Sequence, residues 1–383
     1  MQQVPYWRLS GFYFFYFAVL GGLVPFWNLY LKHLEFSAPE IGYLSAIIMA
    51  TKIVAPNLWG WLADHTGQRL RIIRLGAAFA AVFFAGVFFD HSFAWFALVI
   101  ALFSFFWNAV LPQYEVLTLS HLEGRYHHYS LIRLWGSVGF IAAVLVLGAT
   151  FEYLPIDYLP HALMIMLLGI WLCSLALDGR EKKHPPRIVG EFLRMAKKPP
   201  ILIFFVCCFL MQVGHGPYYA FFSIYLQEHG IDPMMTGVLW ALGVGSEVVL
   251  FMFMHRLLPR FGIANILITS LFLAAVRWLM IAFGVDSWPV LLIAQLLHAA
   301  TFGSFHAAAI EYVRQQFDGG YQGQGQALYS AVSFGAGGAV GAAASGLLWD
   351  INPVWAFVMA SVAAAVAFVL AGLFLKNMEK VAA

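Results

Sequence analysis

Residues 12–31 read FYFFYFAVLGGLVPFWNLYL, without a single charged side chain. A helix that crosses the hydrocarbon core of a bilayer needs about 20 mostly apolar residues, so this one stretch is long enough to span. Arg8 precedes it, and a basic residue before an apolar run is also how an export signal begins. The run is too long and too bulky for such a signal, and no small-residue cleavage site follows it. It reads as a first transmembrane helix.

Eleven more predominantly apolar runs of spanning length follow, at about 39–62, 72–89, 93–119, 129–150, 158–177, 200–226, 233–254, 263–283, 288–312, 324–349 and 353–375. The whole chain of 383 residues is 62% hydrophobic and 10% charged, against about 45–50% apolar and about 25% charged in a soluble domain. Its solvent is therefore lipid, and the fold class is an all-α integral membrane protein of twelve transmembrane helices in two pseudo-symmetric six-helix bundles. A net charge of +2, with no dense basic tract, gives no reason to expect a nucleic-acid partner. Cys173, Cys207 and Cys208 all lie inside apolar runs and read as packing residues, not as a disulfide framework.

The polar stretch 178–199 divides the chain into an N-terminal bundle, 1–177, and a C-terminal bundle, 200–383. It carries Arg180, Lys182, Lys183, Arg187, Arg194, Lys197 and Lys198 and reads as a cytoplasmic linker. With the N-terminus inside, Lys32 alone falls in an external loop. Lys52, Arg133 and Arg277 fall within helices, which leaves 17 of the 21 Lys and Arg residues on the cytoplasmic side. Positively charged loops stay cytoplasmic, so both termini are placed there, and the expected location is a bacterial inner membrane. A shift of 195 positions aligns Tyr30-Leu31 with Tyr225-Leu226, Gly42 with Gly237, Lys52 with Glu247 and Gly67 with Gly262, without a gap. Such repeats recur in secondary transporters, whose binding regions are marked by interrupted helices in corresponding places. Gly21, Gly22 and Pro25 predict an interruption in the first helix; Gly214, Gly216 and Pro217 predict one in the seventh.

After the second helix stands Gly60-Trp61-Leu62-Ala63-Asp64-His65-Thr66-Gly67-Gln68-Arg69. Glycines permit close approach and a tight turn, and an aspartate there can pair with arginine or with a helix N-terminus. The stretch resembles the loop signature of the major facilitator superfamily, in which it helps to hold one gating state. An ordinary positive-inside loop is the plainer reading. The matched stretch 256–262 keeps Arg256, Arg260 and Gly262 but lacks the aspartate. A further stretch, Tyr129-Ser130-Leu131-Ile132-Arg133-Leu134-Trp135-Gly136-Ser137-Val138-Gly139-Phe140, resembles the subfamily that holds phenylpropionate permease, related to lactose permease and the nucleoside-proton symporters. Pro25-Phe26-Trp27-Asn28-Leu29-Tyr30-Leu31, with Gly42 and Gly60, fits the same group. The resemblance covers essentially the whole chain, and it implies the major facilitator fold and secondary transport.

An ionisable side chain at the centre of a membrane helix costs about 2.5–3.5 kcal/mol on insertion scales, so each one is a functional hypothesis. Asn108, Pro112 and Glu115 fall on one face of the fourth helix at i, i+4 and i+7. The resemblance to lactose permease makes Glu115 and Arg133 substrate contacts; alternatively both snorkel to water near the helix ends. Glu247 lies at mid-depth in the eighth helix, where loss of hydration favours the neutral acid and suits it to taking and releasing a proton. Its repeat mate Lys52 either contacts ligand or joins Glu247 in a static network that neutralises buried charge. Arg277, His298 and His306 resemble the arginine and histidine of the lactose permease proton network. Glu311 stands thirteen residues after His298, about half a turn off its face, and does not complete that family's His-Glu pair. Gln212, His215 and Tyr219 share a face of the seventh helix and form either a polar cavity wall or plain interhelical bonds.

These features imply a proton-coupled symporter that imports a small organic solute, with an aromatic carboxylate such as 3-phenylpropionate suggested by the resemblance and by guanidinium–carboxylate geometry at Arg133. The partners expected are substrate, protons and lipid, with the protein working as a monomer. A sugar or nucleoside symporter, a drug/proton antiporter and a transport-like receptor remain as alternatives. No His-Glu-x-x-His pair, Gly-x-Ser-x-Gly elbow or Walker sequence occurs, so an enzyme is not expected, nor a metal or cofactor.

Overall fold

In a computed structural model, which describes residues 4–122, 127–178, 189–317 and 320–382, the chain is helical throughout and has no strand among the described residues. Twelve helices there are long and apolar enough to cross a membrane: helix 1, Tyr6–His33; helix 2, Ala38–Thr66; helix 3, Arg69–Phe88; helix 4, Phe93–Leu122; helix 5, His128–Phe151; helix 6, Ile156–Leu175; helix 7, Pro199–Glu228; helix 8, Pro233–Phe261; helix 9, Ile263–Gly284; helix 10, Trp288–Gln316; helix 11, Gln322–Ile351; and helix 12, Pro353–Leu375. Lipid offers no hydrogen bonds, so the backbone satisfies itself within each helix. Large apolar side chains such as Val82, Val146, Ile165 and Phe283 stand exposed, while Asn108, Gln212, His215, Glu247, Arg277 and His298 are buried.

Most helices outrun their apolar windows. Helix 3 begins at Arg69 and helix 8 continues to Phe261, so residues 256–261, expected as loop, are helical. Polar residues at the rim keep the helix because their side chains reach water or carbonyls. Arg8 donates to the Ala176 carbonyl, and Arg74 donates to those of Ser174, Leu175 and Leu177. Two cations thus meet the carbonyls that the end of helix 6 leaves without intrahelical donors. Of the linker placed at 178–199, residues 179–188, with Arg180, Lys182, Lys183 and Arg187, lie outside the described residues. So does Arg125. The described part holds a short helix, Val189–Ala196.

The chain forms two compact units. In the first, helix 1 packs on helices 5 and 6, and helix 3 on helices 4 and 6. In the second, helix 7 packs on helices 11 and 12, and helix 9 on helices 10 and 12. The pairings repeat helix for helix when six is added, as the internal duplication requires. Residues 37–49 of helix 2 belong to the second unit and residues 231–241 of helix 8 to the first. Gly42 lies against Ala342 and Gly346, and its repeat mate Gly237 against Val144 and Gly148. A Cβ on Gly42 would come within 2.8 Å of the Ala342 carbonyl, and one on Gly237 within 2.3 Å of the Val144 carbonyl.

Helix 1 widens into a π-helical turn at Leu23–Trp27 around Pro25, which lacks an N–H and crowds the preceding turn. Helix 7 does not break as its Gly-Pro pattern predicts: it runs unbroken through Pro217. Its glycines serve proximity instead, since a Cβ on Gly216 would lie 2.2 Å from the Gly341 backbone of helix 11. Further π-helical turns stand in helix 10, Ala299–Ser304, and in helix 11, Ala331–Gly337.

Close packing of helix 1 on helix 5 rests on Gly139, where a Cβ would fall 2.1 Å from the Phe14 carbonyl oxygen. Gly139→Ala should therefore lower stability by about 1–3 kcal/mol through overpacking. Gly372→Ala on helix 12, where no atom lies within 4 Å, should be neutral or slightly stabilising. Thermal unfolding in detergent compares the two, and equal melting temperatures would contradict this account of the interface.

Candidate functional site

The turn between helices 2 and 3 is held by Arg69. Its guanidinium donates to Asp64 at the end of helix 2 and to the Gln113 side chain of helix 4. Gly67 turns the chain at φ +66°, and its repeat mate Gly262 does the same at φ +76°, a conformation that glycine adopts without strain. Gly60 brings helix 2 close to Gln113. Gly60 and Asp64 of helix 2, Gly67 of the turn and Arg69 of helix 3 are thus one structural unit. At the second turn no aspartate is available, and Arg260 lies over the Phe261 ring at 5.4 Å.

In the first unit Arg133 of helix 5 lies over the Phe17 ring, 4.2 Å from its centroid, with Tyr13 at 5.4 Å. Its Nε stands 3.5 Å from Glu115 Oε1, with side chains 33% and 35% exposed, respectively. The two are neither sealed nor dissolved in water. The face predicted on helix 4 divides between two neighbours: Glu115 turns to helix 5, while Asn108 donates to Thr51 of helix 2 at 2.9 Å, and Thr51 in turn to Ser104. Lys52 follows Thr51 and is half-buried.

The second unit gathers Glu247, Arg277 and His298 from three helices. Arg277 is completely buried; its Nε donates to the Ala294 carbonyl at 2.7 Å, and its Nη1 to His298 Nδ1 at 3.0 Å and Thr301 Oγ1 at 3.1 Å. Tyr218 and Trp278 flank the guanidinium at 4.3 and 4.6 Å. His298 Nε2 lies 2.7 Å from Glu247 Oε1. A guanidinium has donors only, so the His298 Nδ1 that faces it must be an acceptor. The proton of that ring is therefore on Nε2, where it is donated to Glu247, and His298 is neutral while it holds Arg277. Gly243 and Gly303 give the pair room, since Cβ atoms there would meet His298 and Glu247.

His215 donates from Nδ1 to the Met211 carbonyl at 2.8 Å and packs edge-on against Trp278. Its ring stands 6.2 Å from that of His298 and 5.6 Å from that of Tyr219, and Gln212 is buried one turn away. His306 pairs with the Tyr329 hydroxyl at 3.1 Å. Glu311 binds Arg314 and Gln315. The carboxylate that meets His298 thus comes from helix 8 and not from helix 10. Thr301, Tyr218 and Gln295, whose Oε1 accepts from the Tyr218 hydroxyl at 2.8 Å, complete the cluster. As uncharged residues within apolar helices they carry no signal in the sequence. Among the described residues no group of three or more His, Cys, Asp or Glu is placed to hold a metal ion.

Residues 6–359 match the model of the MFS_1 like family. The chain is 29% identical over 357 residues to the probable 3-phenylpropionic acid transporter of Escherichia coli (strain K12), covering 91% of this chain and 92% of that one. It is 28% identical over 358 residues to the maltose permease of Geobacillus stearothermophilus, covering 90% and 89%. The crystal structure of the nucleoside transporter NupG superposes with a TM-score of 0.83 over 97% of this chain and 98% of that one at 18% identity, a likeness of fold.

The chemistry of the Glu247–His298–Arg277 cluster makes its two charges unequal. A guanidinium cannot shed its proton, whereas a carboxylate can take one. Glu247→Met should therefore cost about 3–5 kcal/mol by leaving Arg277 uncompensated, Arg277→Met should cost less, and the double variant should regain part of the larger loss. Thermal unfolding in detergent measures all three; strictly additive losses would mean that the two groups do not share an environment.

Proposed function

The chain belongs to the MFS_1 like family and is a multi-pass membrane transporter, and from that premise we propose that it is a proton-coupled symporter importing a small aromatic carboxylate such as 3-phenylpropionate by alternating access. The observation that carries the proton coupling is the buried contact of Glu247 with neutral His298, backed by Arg277. A carboxylate away from water, touching an imidazole, can exchange a proton with it over a single hydrogen bond. The fixed cation beside it stabilises Glu247 when that carboxylate carries its negative charge.

Arg133 supports the carboxylate reading. Its guanidinium already lies over aromatic rings, so an anionic head and an aromatic body can be met at one place. Lys52, Asn108, Gln212, His215 and Tyr219 are the other groups proposed to contact substrate. Asp64 and Arg69 are proposed to steady one gating state. On this reading the halves 1–177 and 200–383 are the moving parts, and the protein works as a monomer in the bacterial inner membrane with both termini cytoplasmic. The placement of Lys and Arg supports that orientation. A second reading, a sugar or nucleoside symporter, is favoured by the Arg133–Glu115 pair itself, which offers donors and acceptors to hydroxyl groups without net charge. The relation to maltose permease points the same way.

Uptake of labelled 3-phenylpropionate into inside-positive and inside-negative membrane vesicles, with and without a pH gradient, tests the proposal. Wild type should accumulate the acid only with the gradient. Glu247→Gln should reduce accumulation at least tenfold yet spare exchange between preloaded pools. Full accumulation by that variant would remove Glu247 from the mechanism. Uptake of maltose or a nucleoside in place of the acid would establish the second reading, and gradient-driven efflux would make the protein an antiporter.

A further inference from the structure

The ion pair in the first unit is made in an unusual way. Glu115 approaches Arg133 from the Nε side at 3.5 Å, well outside the about 2.7–2.9 Å of a charge-assisted hydrogen bond. The guanidinium also has contacts other than that carboxylate: it lies over the Phe17 ring at 4.2 Å, and Tyr129 is hydrogen-bonded to it. Gly136 makes this possible, since a Cβ there would come within 2.8 Å of both Arg133 Nη1 and the Phe17 ring. The cation therefore has other partners, and its anion is held loosely. About a third of each side chain is exposed, so neither group is sealed inside the bundle. Among the described residues, the titratable groups that face Glu115 are Arg133 and Tyr129 from helix 5 and Tyr13 and Tyr16 from helix 1. Arg133 is the one cation in that set.

We propose that Glu115 is a proton acceptor linked to substrate binding: the substrate carboxylate displaces Glu115 from Arg133, and the released Glu115 takes one proton from the aqueous phase. This rests on the carboxylate reading given above. The balance closes. Before binding, the site holds one guanidinium and one carboxylate. Afterwards it holds the same guanidinium, the substrate carboxylate and a neutral carboxylic acid, with one anion and one proton added and no change of net charge. Without the proton, two carboxylates would share one cation among tyrosine and phenylalanine rings, a placement in which like charges cannot both stay ionised. The assignment differs from that of Glu247: Glu115 ties proton uptake to the binding step, whereas the Glu247–His298 contact serves the later transfer.

Calorimetric titration of the purified protein with 3-phenylpropionate, in two buffers of different ionisation heat between pH 6 and pH 8, counts the protons taken up on binding. Wild type should take up about one proton per ligand and bind about tenfold more weakly per pH unit. Glu115→Gln should bind with a proton count near zero and no pH dependence, while Glu247→Gln should keep the wild-type count. The neutral amide 3-phenylpropionamide, titrated into wild type, should bind without proton uptake, a control that needs no variant. A wild-type count near zero, or an unchanged count in Glu115→Gln, overturns the proposal and leaves the carboxylate reading intact. Failure of wild type and Glu115→Gln alike to bind the acid removes the carboxylate reading and this inference together.

Discussion

A guanidinium with no exposed surface, at mid-height of a membrane helix, must find everything that water would have given it. Arg277 is that group, and the second unit is arranged around it. Ala294, His298 and Thr301 fall at i, i+4 and i+7 on helix 10, one stripe of one face, and all three accept from it. The rings of Tyr218 and Trp278 cover its faces, and Nη2 has no partner among the described residues. Because the donors of Arg277 use up the acceptor on His298, the imidazole must present its own N–H on the other side. Glu247 receives it there. One unyielding cation thus fixes the tautomer of a histidine and, through it, the position of a carboxylate.

The same constraint is met differently in the first unit, and the difference follows from exposure. Arg133 and Glu115 are only partly buried, and their contact at 3.5 Å is correspondingly loose. Arg133 rests against the Phe17 ring and is hydrogen-bonded to Tyr129, and Gly136 gives it room. A duplicated chain has therefore been loaded asymmetrically: one unit keeps its charges accessible and loosely paired, the other keeps them sealed and tightly bonded. The residues paired by the 195-residue shift carry opposite charges, Lys52 against Glu247. The backbone has diverged less than the chemistry, as the matching turns at Gly67 and Gly262 and the matching contacts of Gly42 and Gly237 make plain.

Much of this was legible in the sequence because lipid leaves a chain few options. Apolar runs of spanning length mark the twelve helices, and the shift that aligns Gly42 with Gly237 marks the internal duplication. Boundaries erred where charged residues stay helical at the rim, as at Arg69 and at His255 through Phe261. Proline and glycine were the weakest guides: Pro25 does widen helix 1, but Pro217 sits in an unbroken helix, and the π-helical turns of helices 10 and 11 stand where no proline occurs. The His298 partner could not be read at all from helix 10 alone. Sequence periodicity ranks neighbours along one helix, and it rightly set Glu311 aside, yet the carboxylate that meets His298 arrives from helix 8 by tertiary packing. Asn108 and Glu115 share a helical face by spacing, and two different neighbours claim them.

The neutrality of His298 has a consequence for how the second unit could respond to a proton. A doubly protonated imidazole would present an N–H to Arg277, donor against donor, and the bond from Nη1 would be lost. Thr301 and the Ala294 carbonyl would still hold the guanidinium, so Arg277 need not leave; the ring of His298 would have to turn or withdraw, and Glu247, its partner, would move with it or be released. The π-helical turn Ala299–Ser304 begins at the next residue, and such turns admit local changes of register more readily than a regular helix does. Protonation and the geometry of helix 10 are thereby joined through one acceptor nitrogen. A proton held on Glu247 leaves the Arg277 contact untouched, whereas the same proton on His298 breaks it, so the two protonation states of the pair differ in structure and not in charge alone.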